Sequence, residues 1–217
     1  MSSSSGRGPG RPRKIPADEV HELVLNTARR VFGDVGFSAA TIDGIARAAG
    51  VSRQAIYEHF SSKEALFDAA VRDSFAFGAE VLAAADRELD PTARDWPLRR
   101  YAVLVEFSLA NPEHVRLMRE AGRVGHPGMA KALQAEVESN AAGLRAYWRS
   151  QGIELDSGHS PQLIARLAGA LARAMLDQRW EGPQPSAAVV AEMVTVFTSG
   201  GIDTLLKHGS AALRALG

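Results

Sequence analysis

The apolar positions of this chain recur with a helical period from beginning to end. Val20, Leu23, Val24, Thr27, Ala28, Val31 and Phe32 fall at i, i+3, i+4, i+7, i+8, i+11 and i+12, which is one face of an amphipathic helix. Asp18 and Glu19 suit its first turn, Gly33 or Gly36 its end, and Phe37 is expected to tuck beneath it as core. Thr41 can cap a short helix from Ile42 to Ala49 whose apolar face is Ile42, Ile45, Ala46 and Ala49. Gly50 ends it, Ser52 caps a second short helix over Arg53 to Glu58, and Ser61-Ser62-Lys63-Glu64 has the form of a capping box opening a longer one. Leu98 to Ala110 is apolar on nearly every side, as in a helix buried by its neighbours. Asn111-Pro112 and Ser160-Pro161 each place proline just inside a helix start. Two further stripes follow, Met129 to Trp148 and Val189 to Phe197, with Gly200-Gly201 expected to bend or break the last. Alternating strand runs and internal repeats are absent, so the expected fold is all-α with about nine helices.

Composition changes this picture in two ways. The 217 residues contain no cysteine, which removes disulfides, thiol nucleophiles and thiolate metal sites at once. The zero net charge hides an asymmetry: residues 1–63 carry 9 Lys/Arg against 6 Asp/Glu, and residues 64–217 carry 16 against 19. A basic front on a mildly acidic body points to a polyanion partner for the front. No apolar run approaches a bilayer span and the first residues form no hydrophobic stretch, so the expected location is the cytoplasm, with no membrane partner. The expected division is a basic arm over 1–16, read as disordered, a DNA-binding unit over 17–63 and a helical body over 64–217.

The segment from Thr41 to Lys63 is a helix, a turn at Gly50-Val51 and a second helix, the arrangement in which the second helix enters the DNA major groove. Ser52, Arg53 and Gln54 lead that helix. Arginine can grip guanine O6 and N7, and glutamine adenine N6 and N7, each with two hydrogen bonds. Thr41, Tyr57, His59 and Lys63 are donors placed around the rim and suited to phosphates. Plain helical corners share the same outline. The run Thr41-Ile42-Asp43-Gly44-Ile45-Ala46-Arg47-Ala48-Ala49-Gly50-Val51-Ser52, followed by Ile56-Tyr57-Glu58-His59-Phe60 and Lys63-Glu64-Ala65-Leu66, resembles the TetR family of bacterial transcriptional regulators. The resemblance spans about Val20 to Leu66. It implies a homodimer with a three-helix DNA-binding head and a helical body that binds a small-molecule effector and dimerises, on double-stranded DNA carrying a palindromic operator. It also implies that Thr41 and Lys63 touch phosphate at opposite ends of the reading head, with Tyr57 and His59 on the backbone. Val51, Ser52, Arg53, Gln54 and Ala55 would face the groove. Repression is the family's commoner mode. Glu58 departs from this pattern, because it sets an anion beside the phosphates.

Gly10-Arg11-Pro12 looks like the core of an AT-hook, so Arg11, Arg13 and Lys14 are candidates for a minor-groove arm. In the body, Trp96, Tyr101, Phe107, Met118, Trp148 and Met175 are large apolar groups that can line a pocket or simply fill the core, with Arg119, Asn140 and Gln178 as polar partners. Leu171, Met175, Val190, Val194 and Phe197, beside the small residues Ala168 to Ala172, are the candidate dimer interface. The six histidines show no metal-ligand spacing, no phosphate loop or nucleophile elbow is present, and no cofactor is expected. The reading is a ligand-responsive regulator, not an enzyme. The competing readings are an architectural protein of A·T-rich DNA without an effector and, least favoured, a helical enzyme.

Overall fold

Each short helix of the N-terminal region begins at a hydroxyl that satisfies a free amide. A computed structural model describes residues 16–153, 159–177, 183 and 185–207. Helices α1 (Ala17–Val35), α2 (Ile42–Ala49) and α3 (Arg53–Tyr57) form the head. Thr41 Oγ1 accepts from Gly44 N at the start of α2, and Ser52 Oγ accepts from Ala55 N at the start of α3, both at 3.0 Å. Gly50, in the left-handed region at φ 70°, ends α2, a conformation that costs a residue with a Cβ. The long helix α4 (Lys63–Glu88) is capped by Ser62, one residue later than the expected box, with Ser62 Oγ 3.1 Å from Ala65 N.

The body continues as α5 (Trp96–Ala110), α6 (Pro112–Arg123), α7 (Pro127–Ser150), α8 (Ser160–Asp177) and α9 (Ala187–Lys207), nine helices and no strand among the described residues. Asn111 precedes α6 but does not cap it. Its side chain turns back to donate to the last turn of α5, at Phe107 O, 2.9 Å away. His126 caps α7 instead, its Nδ1 accepting from Gly128 N at 3.1 Å. Helix α9 runs through Gly200-Gly201 without a break. The glycines cost roughly 1 kcal/mol each in helix propensity, and burial of Val190, Ala191 and Val194 on the same helix outweighs that.

Three buried clusters hold these helices. One joins Val24, Ala28 and Phe32 of α1 to Ile45, Ile56 and Phe60 of the head, to Leu66, Phe67, Ala70 and Val71 of α4, and to Leu117 and Ala121 of α6. The second packs Trp96 against Val137, Ala141, Leu144, Trp148 and Ile164. The third packs Tyr101 and Val105 against Ala168, Ala172, Met175, Val190 and Val194. A Cβ on Gly143 would collide with the Trp96 ring, so that glycine is what admits the indole. Arg100, 3% exposed, is held by Asp86, 2.8 Å from its Nε, and donates through Nη2 to Ser139 Oγ at 3.0 Å, tying α4, α5 and α7 together. No described helix is long and apolar enough to cross a membrane.

Candidate nucleic-acid interface

The capped helices α2 and α3 present a polar, exposed surface built on an apolar underside. Ile56 of α3 is fully buried, and that anchor turns Ser52, Arg53 and Gln54 outward. The Thr41 and Ser52 oxygens accept backbone amides, and a hydroxyl that accepts in this way can still donate its own proton to an acceptor such as a phosphate. Arg53 Nη1 lies 3.3 Å from Asp43 Oδ2, and its guanidinium sits 5.7 Å from the centre of the Tyr57 ring. Both members of that ion pair are more than half exposed, so it orients Arg53 at a worth of about 0–1 kcal/mol and yields readily to a better acceptor. Gln54 Nε2 donates to Glu58 Oε1 at 3.3 Å along the same helix, which draws the departing anion toward Gln54.

The remaining head residues sit in mixed surroundings. Tyr57 is exposed, while Val51 and Ala55 are half-buried, with Val51 against the head core. His59 is half-buried and edge-on to His21, which stacks on Phe60 at 5.0 Å. Lys63 is turned inward. Its Nζ donates to Phe37 O at 3.0 Å and Ala40 O at 3.1 Å and lies 4.4 Å from the centre of the Phe37 ring, a clamp on the α1–α2 turn. Arg11, Arg13 and Lys14 lie outside the described residues.

The body candidates are not gathered at one place. Trp96 and Trp148 are interior to the second cluster, Tyr101 and Met175 to the third. Burial pushes the Tyr101 phenol well above its usual range. Asn140 is buried on α7, Phe107 packs edge-on to Phe77 at 5.3 Å, and Met118 is half-buried. Arg119 is exposed and borders a cleft of about 340 Å³ with Gly33, Gly36, Arg116, Glu120 and Arg123; Gln178 lies outside the described residues. A second cleft, about 330 Å³, is lined by Asn26, Arg29, Asp73, Phe77, Glu80 and His114. Sequence reasoning did not single out these polar residues. Of the interface candidates, Met175, Val190 and Val194 are spent on the chain's own core, Leu171 is half-buried and Phe197 is 75% exposed. Val190 and Val194 have no surface left for a partner; Leu163 and Leu167 of α8 and Val189, Met193 and Val196 of α9 are exposed apolar groups beside Phe197. No group of residues able to hold a metal occurs among the described residues.

A family model for bacterial regulatory proteins, tetR family, matches residues 24–70. The HTH-type transcriptional repressor Rv1474c of Mycobacterium tuberculosis is 27% identical over 65% of this chain and 85% of its own length. The HTH-type transcriptional activator FasR of Mycolicibacterium smegmatis is 45% identical, but over only 28% of this chain and 27% of its own. The crystal structure of a TetR-like transcriptional regulator from Rhodococcus sp. RHA1 superposes with a TM-score of 0.71 at 22% identity, covering 88% of this chain and 99% of that one. The matched segment is the capped helix pair with parts of α1 and α4 that support it, and the fold likeness covers 88% of the chain. Residues 24–70 therefore carry the helices of the bacterial regulatory proteins, tetR family, and the chain as a whole has the fold of a TetR-like transcriptional regulator.

Proposed function

We propose that this chain is a homodimeric, effector-responsive repressor that binds a roughly palindromic operator. The observation that carries this reading is the α2–α3 pair, whose caps are made and whose leading residues Arg53 and Gln54 stand exposed above a buried anchor at Ile56. Two such heads, related by a two-fold axis, reach major grooves about 34–36 Å apart, or a multiple of that. The exposed apolar groups Leu167 of α8 and Met193, Val196 and Phe197 of α9 support an interface along those helices, since large apolar side chains left exposed together on two helices are a mark of association. Arg11, Arg13 and Lys14 serve as the arm that adds minor-groove and phosphate contacts.

Repression follows the repressor that matches 65% of the chain; the activator matches only 28% of it. The effector is a small, partly apolar molecule of the body, and Phe107 and Met118 are the large groups of the candidate set with surface to offer it. It acts only by its differential affinity for the DNA-competent and DNA-incompetent postures. The chain acts on the chromosome in the cytoplasm. Selection of bound fragments from the host genome at fixed salt tests the reading. A short palindrome is expected, and recovery of A·T-rich DNA without a palindrome would overturn it in favour of an architectural role.

A further inference from the structure

Helix α6 belongs to the body, yet it lies against the head more intimately than packing alone requires. At the crossing, Gly33 of α1 has no side chain, and a Cβ there would stand 2.9 Å from Arg116 Cβ and 3.2 Å from Leu117 N. The two helices therefore meet at backbone distance. Arg116 adds an ion pair to Asp34, with Nε 2.8 Å from Oδ1. One turn further along α6, Glu120 is 7% exposed, and its Oε1 accepts from the backbone amide of Phe37 at 2.6 Å. That amide is the first beyond Gly36, where the chain has turned out of α1 and the amide no longer meets a helix carbonyl. Gly36 has φ 81°, and a Cβ there would lie 3.2 Å from the same carboxylate oxygen. Arg123 fixes the carboxylate from behind, with Nε 2.5 Å from Oε2 and Nη2 2.6 Å from Oε1, and so holds Glu120 below the usual carboxylate range.

The Phe37 residue is gripped from both ends. Its N–H is held by Glu120 of the body, its C=O by Lys63 at the start of α4. Lys63 also takes Ala40 O, and Ala40 directly precedes Thr41, the cap of α2. A hydrogen bond of 2.6 Å weakens steeply if the partners separate by more than roughly half an ångström. Any shift of α6 along α1 must therefore either carry the turn, and with it the start of α2, or break the bond.

We propose that Glu120 is the positioning residue through which the body sets the posture of the α2–α3 reading pair. The proposal rests on the DNA-binding regulator reading, and it adds the specific point at which a conformational change in the body reaches the head. Glu120 touches no DNA. Its effect is on how well the two heads are pre-set to the operator spacing.

Two readouts test this in the full-length protein. Because the chain has no cysteine, Ala48→Cys on α2 and Lys131→Cys on α7, both at exposed positions, give one spin label in the head and one in the body. Labelled chains diluted into unlabelled ones report the head-to-body distance within a single chain by pulsed electron paramagnetic resonance. Glu120→Ala is expected to broaden that distance distribution and to raise the operator Kd about tenfold or more. Glu120→Gln retains an acceptor for the Phe37 amide but weakens the Arg123 grip, so it should fall between Ala and the native protein on both readouts. A merely structural role predicts a lowered Tm with unchanged distribution and unchanged Kd, and that result overturns the proposal. Should Glu120→Ala not fold, Glu120→Gln decides: a broadened distribution supports the proposal and an unchanged one overturns it. If the native protein selects no operator, the regulator reading falls, and the distance measurement still decides the posture claim.

Discussion

Replacing Lys63 by methionine separates two roles that the same side chain can play. Methionine keeps much of the apolar stem and removes the ammonium. The structure gives Lys63 two charge-assisted hydrogen bonds, at 3.0 and 3.1 Å, and a ring 4.4 Å away. Bonds from a charged donor contribute about 1.5–3 kcal/mol each, and the cation–π contact about 0.5–1 kcal/mol. The site is half-buried, and water can replace the ammonium at both carbonyls, so the net loss should be near the lower end. We expect Lys63→Met to destabilise the fold by about 1–3 kcal/mol, which for a chain of this size lowers Tm by roughly 2–12 °C. Operator affinity should fall as well, because the released turn leads into the α2 cap. Since two of the three ammonium protons are spent on carbonyls, the salt dependence should change little. The assays are thermal unfolding by circular dichroism and operator titration across a range of salt. A variant with native Tm whose log Kd against log salt slope drops by about 0.9 per subunit would refute the clamp and make Lys63 a plain phosphate contact.

Other outcomes follow from the same geometry. Arg53→Ala should weaken operator binding by about 1–3 kcal/mol per half-site and relax preference at one base pair; equal weakening on every sequence would move Arg53 from the groove to the backbone. Asp43→Asn, which frees Arg53 from its ion pair, should leave affinity unchanged or raise it by at most about fivefold, and a clear loss would mean the pair pre-sets the arginine. Phe197→Glu, at a position 75% exposed, should shift the protein toward monomer in sedimentation equilibrium at micromolar concentration, and an unaffected dimer would place the interface elsewhere. Burial, aided by Arg29, holds His114 below the ordinary histidine range. The unfolded chain therefore binds that proton as pH falls through about 6.5, whereas the folded chain binds it only at lower pH. Stability from this residue is present above about pH 6.5 and declines below it; His114→Gln should lessen the decline in urea unfolding measured from about pH 8 to about pH 5, and an identical decline would refute the assignment.

The helices and the reading pair were legible because their signals are local. A threonine or serine three residues before the amide it caps, a glycine at a left-handed position and an apolar residue every third or fourth place are each set by neighbours in the chain. What the sequence could not reveal are pairings across distance. The Glu120 carboxylate meets an amide 83 residues away, and Lys63 meets carbonyls 26 and 23 residues before it. Periodicity marks Trp96, Trp148, Val190 and Val194 as facing something apolar but does not say whether that is a cavity, a second chain or the chain's own core. The structure puts them in the core. The two glycines of α9 were a local signal that misled, because burial on one face of a long helix outweighs the propensity of two exposed positions. His126 as a cap was missed because its imidazole, unlike a serine hydroxyl, is rarely read as one.

The shared cluster beneath the head bears on how this chain can be recombined with others. Leu66, Phe67, Ala70 and Val71 come from the first turns of α4, and Leu117 and Ala121 from α6, yet all pack beneath α1, α2 and α3. A chimera joined at residue 63 would strip four of those side chains from the head and expose the rest of its underside to water. A functional exchange of DNA specificity has to carry the graft through Val71 and supply a leucine and an alanine at the matching places on the recipient's sixth helix. Reading-head and effector-binding parts of this protein are thus interchangeable only with bodies whose α6 carries the matching leucine and alanine and can lie as close to α1 as Gly33 allows.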